Sequence, residues 1–152
     1  MKKIFLLPFL LLSFNIFAQS EEEKAVKVVI DQMFDAMRAG DSTSLRSIFH
    51  PSARLMSVFY NKEGESKIHD GDIDRFIVAV GTPHDEVWDE KIWSYDIQID
   101  GNLASVWTEY SFFLGENLRH CGVNAFHLFK SDDGWLITQI TDTRRRENCK
   151  TE

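Results

Sequence analysis

His120 and Asn124 are the residues whose type and spacing best suit chemistry. They share strand parity with Phe126 and Leu128, which sets two polar groups in line on an apolar wall. A few polar groups on an apolar lining is the usual make-up of a small-molecule pocket. An imidazole there could act as a general base, oriented by a carboxylate, and Asp142 is the carboxylate available. Whether Asp142 faces His120 depends on register. If residues 131–134 form a four-residue loop, Asn124 faces Thr141, and only a bulge in the last strand turns Asp142 inward. Asp142 and Arg144 share a parity and could instead form a structural ion pair.

The other histidines suggest less. His50 precedes Pro51 in a connection, His69 and His84 flank a helix in polar loops, and His127 belongs to the outer sheet face. The chain contains no Gly-rich phosphate loop, no nucleophile elbow and no His-Glu-x-x-His, and its two cysteines have no metal-ligand spacing. Neither a metal nor a cofactor is expected.

The elements that must position these residues lie in the last third. Leu103–Leu114, Leu118–Lys130 and Trp135–Thr143 read as apolar, aromatic-rich strands joined by Gly115-Glu116-Asn117 and Ser131-Asp132-Asp133-Gly134. Pairing across the first turn sets Phe112 opposite His120, Tyr110 opposite Gly122, Thr108 opposite Asn124 and Val106 opposite Phe126. Tyr110, Phe112, His120, Asn124 and Phe126 then share a wall on the helix-covered face. Gly122 is expected to leave open space beside Tyr110. Of the tryptophans, Trp88 is the candidate for the cavity mouth; Trp93, Trp107 and Trp135 fill the core or the outer face. Trp107, Glu109 and Phe113 point outward, and an apolar outer face suggests a second copy of the chain as partner.

Upstream, residues 21–39 make an amphipathic helix with a stripe of Val26, Val29, Ile30, Met33, Phe34 and Met37, stopped at Gly40. Asp41 caps a short second helix with Leu45, Ile48 and Phe49 inside. A strand is expected over 54–60 and a turn over 61–65. A third helix, capped by Asp70, has Ile73, Phe76, Ile77 and Val80 as its stripe. Residues 86–99 read as one strand through the alternation of Trp93, Tyr95, Ile97 and Ile99.

The ends and the charge bound the setting. Lys2-Lys3, the apolar run of residues 4–17 and the small Ala18 form a secretory signal pattern, leaving one domain over 19–152. Without those two lysines, 15 basic residues face 24 acidic ones. So acidic a chain suits neither nucleic acid nor an anionic membrane, and no span is expected after cleavage. Export, to the periplasm or beyond, makes a disulfide between Cys121 and Cys149 an expectation.

Helix, short helix, strand, helix and then strands make an α+β protein: three helices from the N-terminal half cover the concave face of a curved, mostly antiparallel, cone-shaped sheet. With Gly40-Asp41, Ile48-Phe49-His50-Pro51-Ser52-Ala53 and Asp133-Gly134-Trp135-Leu136-Ile137, the chain resembles the nuclear transport factor 2-like superfamily. Its members include ketosteroid isomerases, scytalone dehydratase, limonene epoxide hydrolase and SnoaL-type cyclases. His120-Cys121-Gly122-Val123-Asn124-Ala125-Phe126 and Asp142-Thr143-Arg144-Arg145 look like an exported bacterial branch defined by fold. The resemblance implies the cone and, commonly, a homodimer through the convex sheet face. The isomerase and epoxide hydrolase catalytic sets match no motif here. The leading expectation is therefore an exported protein binding a small apolar or aromatic molecule. The alternatives are an isomerase, dehydratase or hydrolase using His120 as base, and a dimeric accessory domain with a vestigial pocket.

Overall fold

The computed structural model describes residues 9–152, with side-chain detail from residue 21 onwards. The signal-peptide expectation falls on residues 1–18, of which 1–8 lie outside the described residues.

The order is α1 (Phe9–Ala39), α2 (Ser42–Ser47), β1 (Phe49–Tyr60), β2 (Ser66–Gly71), α3 (Ile73–Gly81), β3 (Trp88–Ile92), β4 (Asp96–Asp100), β5 (Leu103–Leu114), β6 (Asn117–Ser131) and β7 (Gly134–Arg144). The strands form one curved sheet in the order β2-β1-β7-β6-β5-β3, with β4 also on β5. Only β1 and β7 run parallel; the other pairs are antiparallel. Helix α1 lays Val26, Ile30, Met33, Phe34 and Met37 onto one face of the sheet, where they meet Ala104, Val106, Phe126, Leu128 and Ile137. Phe34 and Phe126 pack edge to face at 6.2 Å. Gly40, at φ +68°, ends α1 in the left-handed conformation that glycine tolerates best, and Asp41 caps α2 through the Thr43 and Ser44 amides. This is the α+β cone expected.

Several boundaries differ. Helix α1 starts at Phe9, not near residue 21, because the run from 9 to 20 contains no Gly or Pro to separate it from the amphipathic stretch beyond. Strand β1 begins at Phe49, so His50 and Pro51 lie within it, at an irregularity in the pairing with β7 between Phe49 and Arg54. Strand β2 was not expected, since Ser66–Gly71 has little apolar character; it is an edge strand held by pairing with β1. It takes up Asp70, and Asp72 caps α3 by accepting from the Arg75 amide.

The stretch 86–99 is two strands rather than one. Ile92 pairs with Tyr110 and Asp96 with Trp107, so three residues on one strand oppose two on the other. The Trp93 amide bonds the Glu109 carbonyl at 2.9 Å, and the Glu109 amide bonds Ser94 Oγ at 3.1 Å. Such a bulge reverses which side chains face inward. A second bulge, at Thr138, shifts β7 so that His127 pairs with Gln139 but Leu128 with Ile137. That shift brings Asp142 opposite Asn124.

On the outer face the C-terminal tail folds back over β5 and β6. Cys121 and Cys149 form a disulfide with Cα atoms 5.5 Å apart, and Cys121 also bridges to Arg145 through two backbone hydrogen bonds of 2.9 Å. Ser111 Oγ donates to the Lys150 carbonyl at 2.5 Å and accepts from Trp93 Nε1 at 3.0 Å. Lys150 Nζ lies 4.8 Å from the Trp93 ring centre. Further along the same face Trp107, Leu103 and Phe129 remain exposed.

Candidate functional site

The helix-covered face changes character along β5 and β6. At one end Ala104, Val106, Phe126 and Leu128 are sealed under α1. The middle holds Thr108, Tyr110 and Asn124, polar and buried. At the other end Phe112, His120 and Trp88 keep part of their surface open. Their rings form a chain: Tyr110 to His120 at 5.7 Å, His120 to Phe112 at 5.1 Å, Phe112 to Trp88 at 6.4 Å. His84 stacks on Trp88 at 4.2 Å.

The predicted pairs across the β5–β6 turn are those of the structure, including Phe112 with His120 and Thr108 with Asn124. Tyr110, Phe112, His120, Asn124 and Phe126 thus share the wall facing the helices, with Trp88 beside Phe112. Phe126, wholly buried against Phe34, belongs to the sealed end.

The polar middle is a row crossing four strands. Thr108 on β5 pairs with Asn124 on β6, Asn124 with Asp142 on β7, and Asp142 with Ser57 on β1. Asp142 accepts from Ser57 Oγ at 2.5 Å and from Arg144 Nε at 2.6 Å. The Tyr110 hydroxyl has one proton, which it donates to the Thr143 carbonyl at 2.9 Å; Asp142 lies 3.4 Å away on a weaker line. Burial pushes the Tyr110 phenol well above its ordinary range, and the nearby Glu90 and Asp142 charges add to this, so it stays a donor.

Asp142 thus faces inward, but no hydrogen bond joins it to His120 among the described residues; its two oxygens accept from Ser57 and Arg144. Burial, reinforced by the Arg144 charge and opposed by Asp142, pulls the His120 imidazole down to about 4. His120 is therefore neutral at neutral pH and a weak base. Gly122 leaves no open space beside Tyr110, contrary to expectation: a Cβ there would lie 1.9 Å from the Thr143 carbonyl oxygen, so the backbone of β7 already fills that place.

Glu90 was not singled out by the sequence. It enters from β3 and accepts from the Asn124 amide at 2.7 Å. Burial raises its carboxyl to about 7, with Asp142 adding and the Asn124 bond opposing. Protein surrounds the carboxyl densely, yet the residue keeps accessible surface, as a concave wall would. Its signal was a change of phase, with Trp88 and Ile92 inward before the bulge and Tyr95, Ile97 and Ile99 after it.

A groove of about 470 Å³ lies on the solvent side of α1, near Val28, Asp31, Asp35 and Asp41. Its carboxylates are occupied: Asp31 by Lys27 and Tyr95, Asp35 by Arg38, Asp41 by the α2 amides. Among the described residues no group of three His, Cys, Asp or Glu could hold a metal, and no helix is long and apolar enough to cross a membrane.

The family model described as "Putative lumazine-binding" matches residues 21–140. No curated protein shows significant sequence similarity to the chain. Among solved structures, a nuclear transport factor 2-like protein with a cystatin-like fold from Novosphingobium aromaticivorans superposes with a TM-score of 0.73 at 10% identity, over 95% of each chain. A putative dehydratase of the same fold family from Streptomyces avermitilis gives 0.61 at 14%, over 84% of this chain and 99% of that one. The β subunit of a putative aromatic-ring-hydroxylating dioxygenase from N. aromaticivorans gives 0.68 at 13%, over 88% and 95%. At such identities the likeness is one of fold.

Proposed function

The chain belongs to the putative lumazine-binding family, within the nuclear transport factor 2-like superfamily, and from that premise we propose that it binds a small planar aromatic molecule on the helix-covered face of its sheet. The observation that supports this best is the partly open aromatic rim of Trp88, Phe112 and His120 beside a buried polar row. Rings supply stacking area at low entropic cost, and the row behind them supplies orientation. A neutral His120 can stack or share one hydrogen bond without bringing a charge. The family description makes lumazine, a pteridine-dione, the natural first probe. The wild-type protein should bind lumazine in a fluorescence titration, and Trp88→Ala and Phe112→Ala should each weaken binding at least tenfold. No saturable binding, or binding indifferent to both substitutions, would refute the reading.

The protein is exported on this reading, which the signal-like start and the disulfide support. N-terminal sequencing of the cell-envelope form should find Met1 and the apolar run removed near Ala18. A homodimer is proposed through the outer-face region that the tail leaves uncovered, around Trp107 and Phe129. Light scattering should give twice the chain mass, and Trp107→Glu should halve it.

A further inference from the structure

We propose that Glu90 selects the ligand, accepting a hydrogen bond from a ring N–H of the molecule held at the aromatic rim. The inference rests on the binding reading above and deepens it. Glu90 Oε1 is taken by Asn124, whereas Oε2 has no donor among the described residues and is not enclosed. Asp142 cannot play this part, since its two oxygens already accept from Ser57 and Arg144.

Charge counting points the same way. Glu90 and Asp142 oppose each other's ionisation, and the cation nearest to both, Arg144, is bonded to Asp142 at 2.6 Å. Glu90 forms no ion pair among the described residues. A carboxylate with an open oxygen and no counter-ion is stabilised by a donor, and a charged acceptor makes the stronger kind of hydrogen bond. An open carboxylate oxygen beside the aromatic rim fits the ring N–H of a cyclic imide or lactam.

The test compares two probes of nearly equal ring area: lumazine, whose two ring N–H groups flank one carbonyl, and 1,3-dimethyllumazine, which lacks them. Wild-type protein should bind lumazine at least tenfold more tightly. In Glu90→Gln the side-chain oxygen can still serve Asn124, while the new amide turns N–H against N–H. The two probes should then bind within about twofold of each other. Equal binding by wild type overturns the inference and leaves the binding site standing. So does a tenfold preference retained in Glu90→Gln, which would assign the discrimination to methyl bulk alone. Failure of wild type to bind either probe overturns both readings.

Discussion

Asn124 donates its side-chain amide to Glu90 at 2.7 Å and so ties β6 to β3 across the intervening β5. The bond favours the ionised carboxylate, against the burial that favours the neutral acid. Asn124→Ala should therefore move the Glu90 titration, near 7 in wild type, to higher pH. Side-chain carboxyl shifts followed by NMR would show it. Unfolding should become easier by about 1–3 kcal/mol, the usual cost of leaving a buried partner unsatisfied.

The pH dependence of stability has two opposed contributions. The folded-state value of Glu90 is raised, so the folded protein binds more protons, and stability falls as pH rises from the unfolded value of 4.5 to about 7. His120 is depressed from 6.5 to about 4, so its contribution is lost as pH falls through that interval and is complete above it. The Glu90 contribution is worth on the order of 3 kcal/mol, and that of the partly open His120 less, because solvent screens it. Glu90→Gln should show stability rising from pH 4 to 6.5 and then level; His120→Asn should show a decline towards pH 7. Urea unfolding of both variants at half-unit pH steps measures this.

Gly122→Ala should be the most damaging small substitution on the wall. The added methyl would meet the Thr143 carbonyl oxygen, the acceptor of the Tyr110 hydroxyl, and backbone cannot move aside as a flexible side chain can. A loss of about 3 kcal/mol or more is expected, with strong hydroxyl-linked changes in Tyr110 fluorescence or NMR signals.

Cys149→Ser should cost about 3–4 kcal/mol on the chain-entropy account, because the disulfide closes a separation of 28 residues. It should also loosen Lys150 from Trp93 and Ser111. A red shift of tryptophan emission without loss of secondary structure would report that release.

The site was legible where strand parity alone decides it. The wall from Tyr110 to Phe126 follows from one tight turn and alternation, and its pairing was readable without any structure. Register in β7 was not, because it hinges on whether Thr138 is an extra residue, and a Thr in a strand looks the same either way. Glu90 was hidden by the same kind of event. Taken as one strand, 86–99 puts position 90 opposite in phase to Tyr95 and Ile97, hence outward; the three residues 93–95 opposing two reverse that. Edge strand β2 escaped because its stability comes from β1, and its own residues are nearly all solvent-facing. The fold survives such slips since its core stripe on α1 and its apolar wall are each redundant. A polar site is not redundant, and a single bulge can add or remove a carboxylate.

The Cys121–Cys149 bond makes a covalent ring of most of β6, all of β7 and the tail. The Asp132-Asp133 turn is an exposed point of that ring. A protease cutting there would separate the sequence into two pieces without separating the molecule, since the C-terminal fragment stays attached through Cys149 and paired to β1 and β6. In denaturing electrophoresis, nicked protein would migrate as one species until a reductant is added. Removing the last strand, with Asp142 and Arg144, would take both reduction of that bond and unpairing of β7 from β1 and β6.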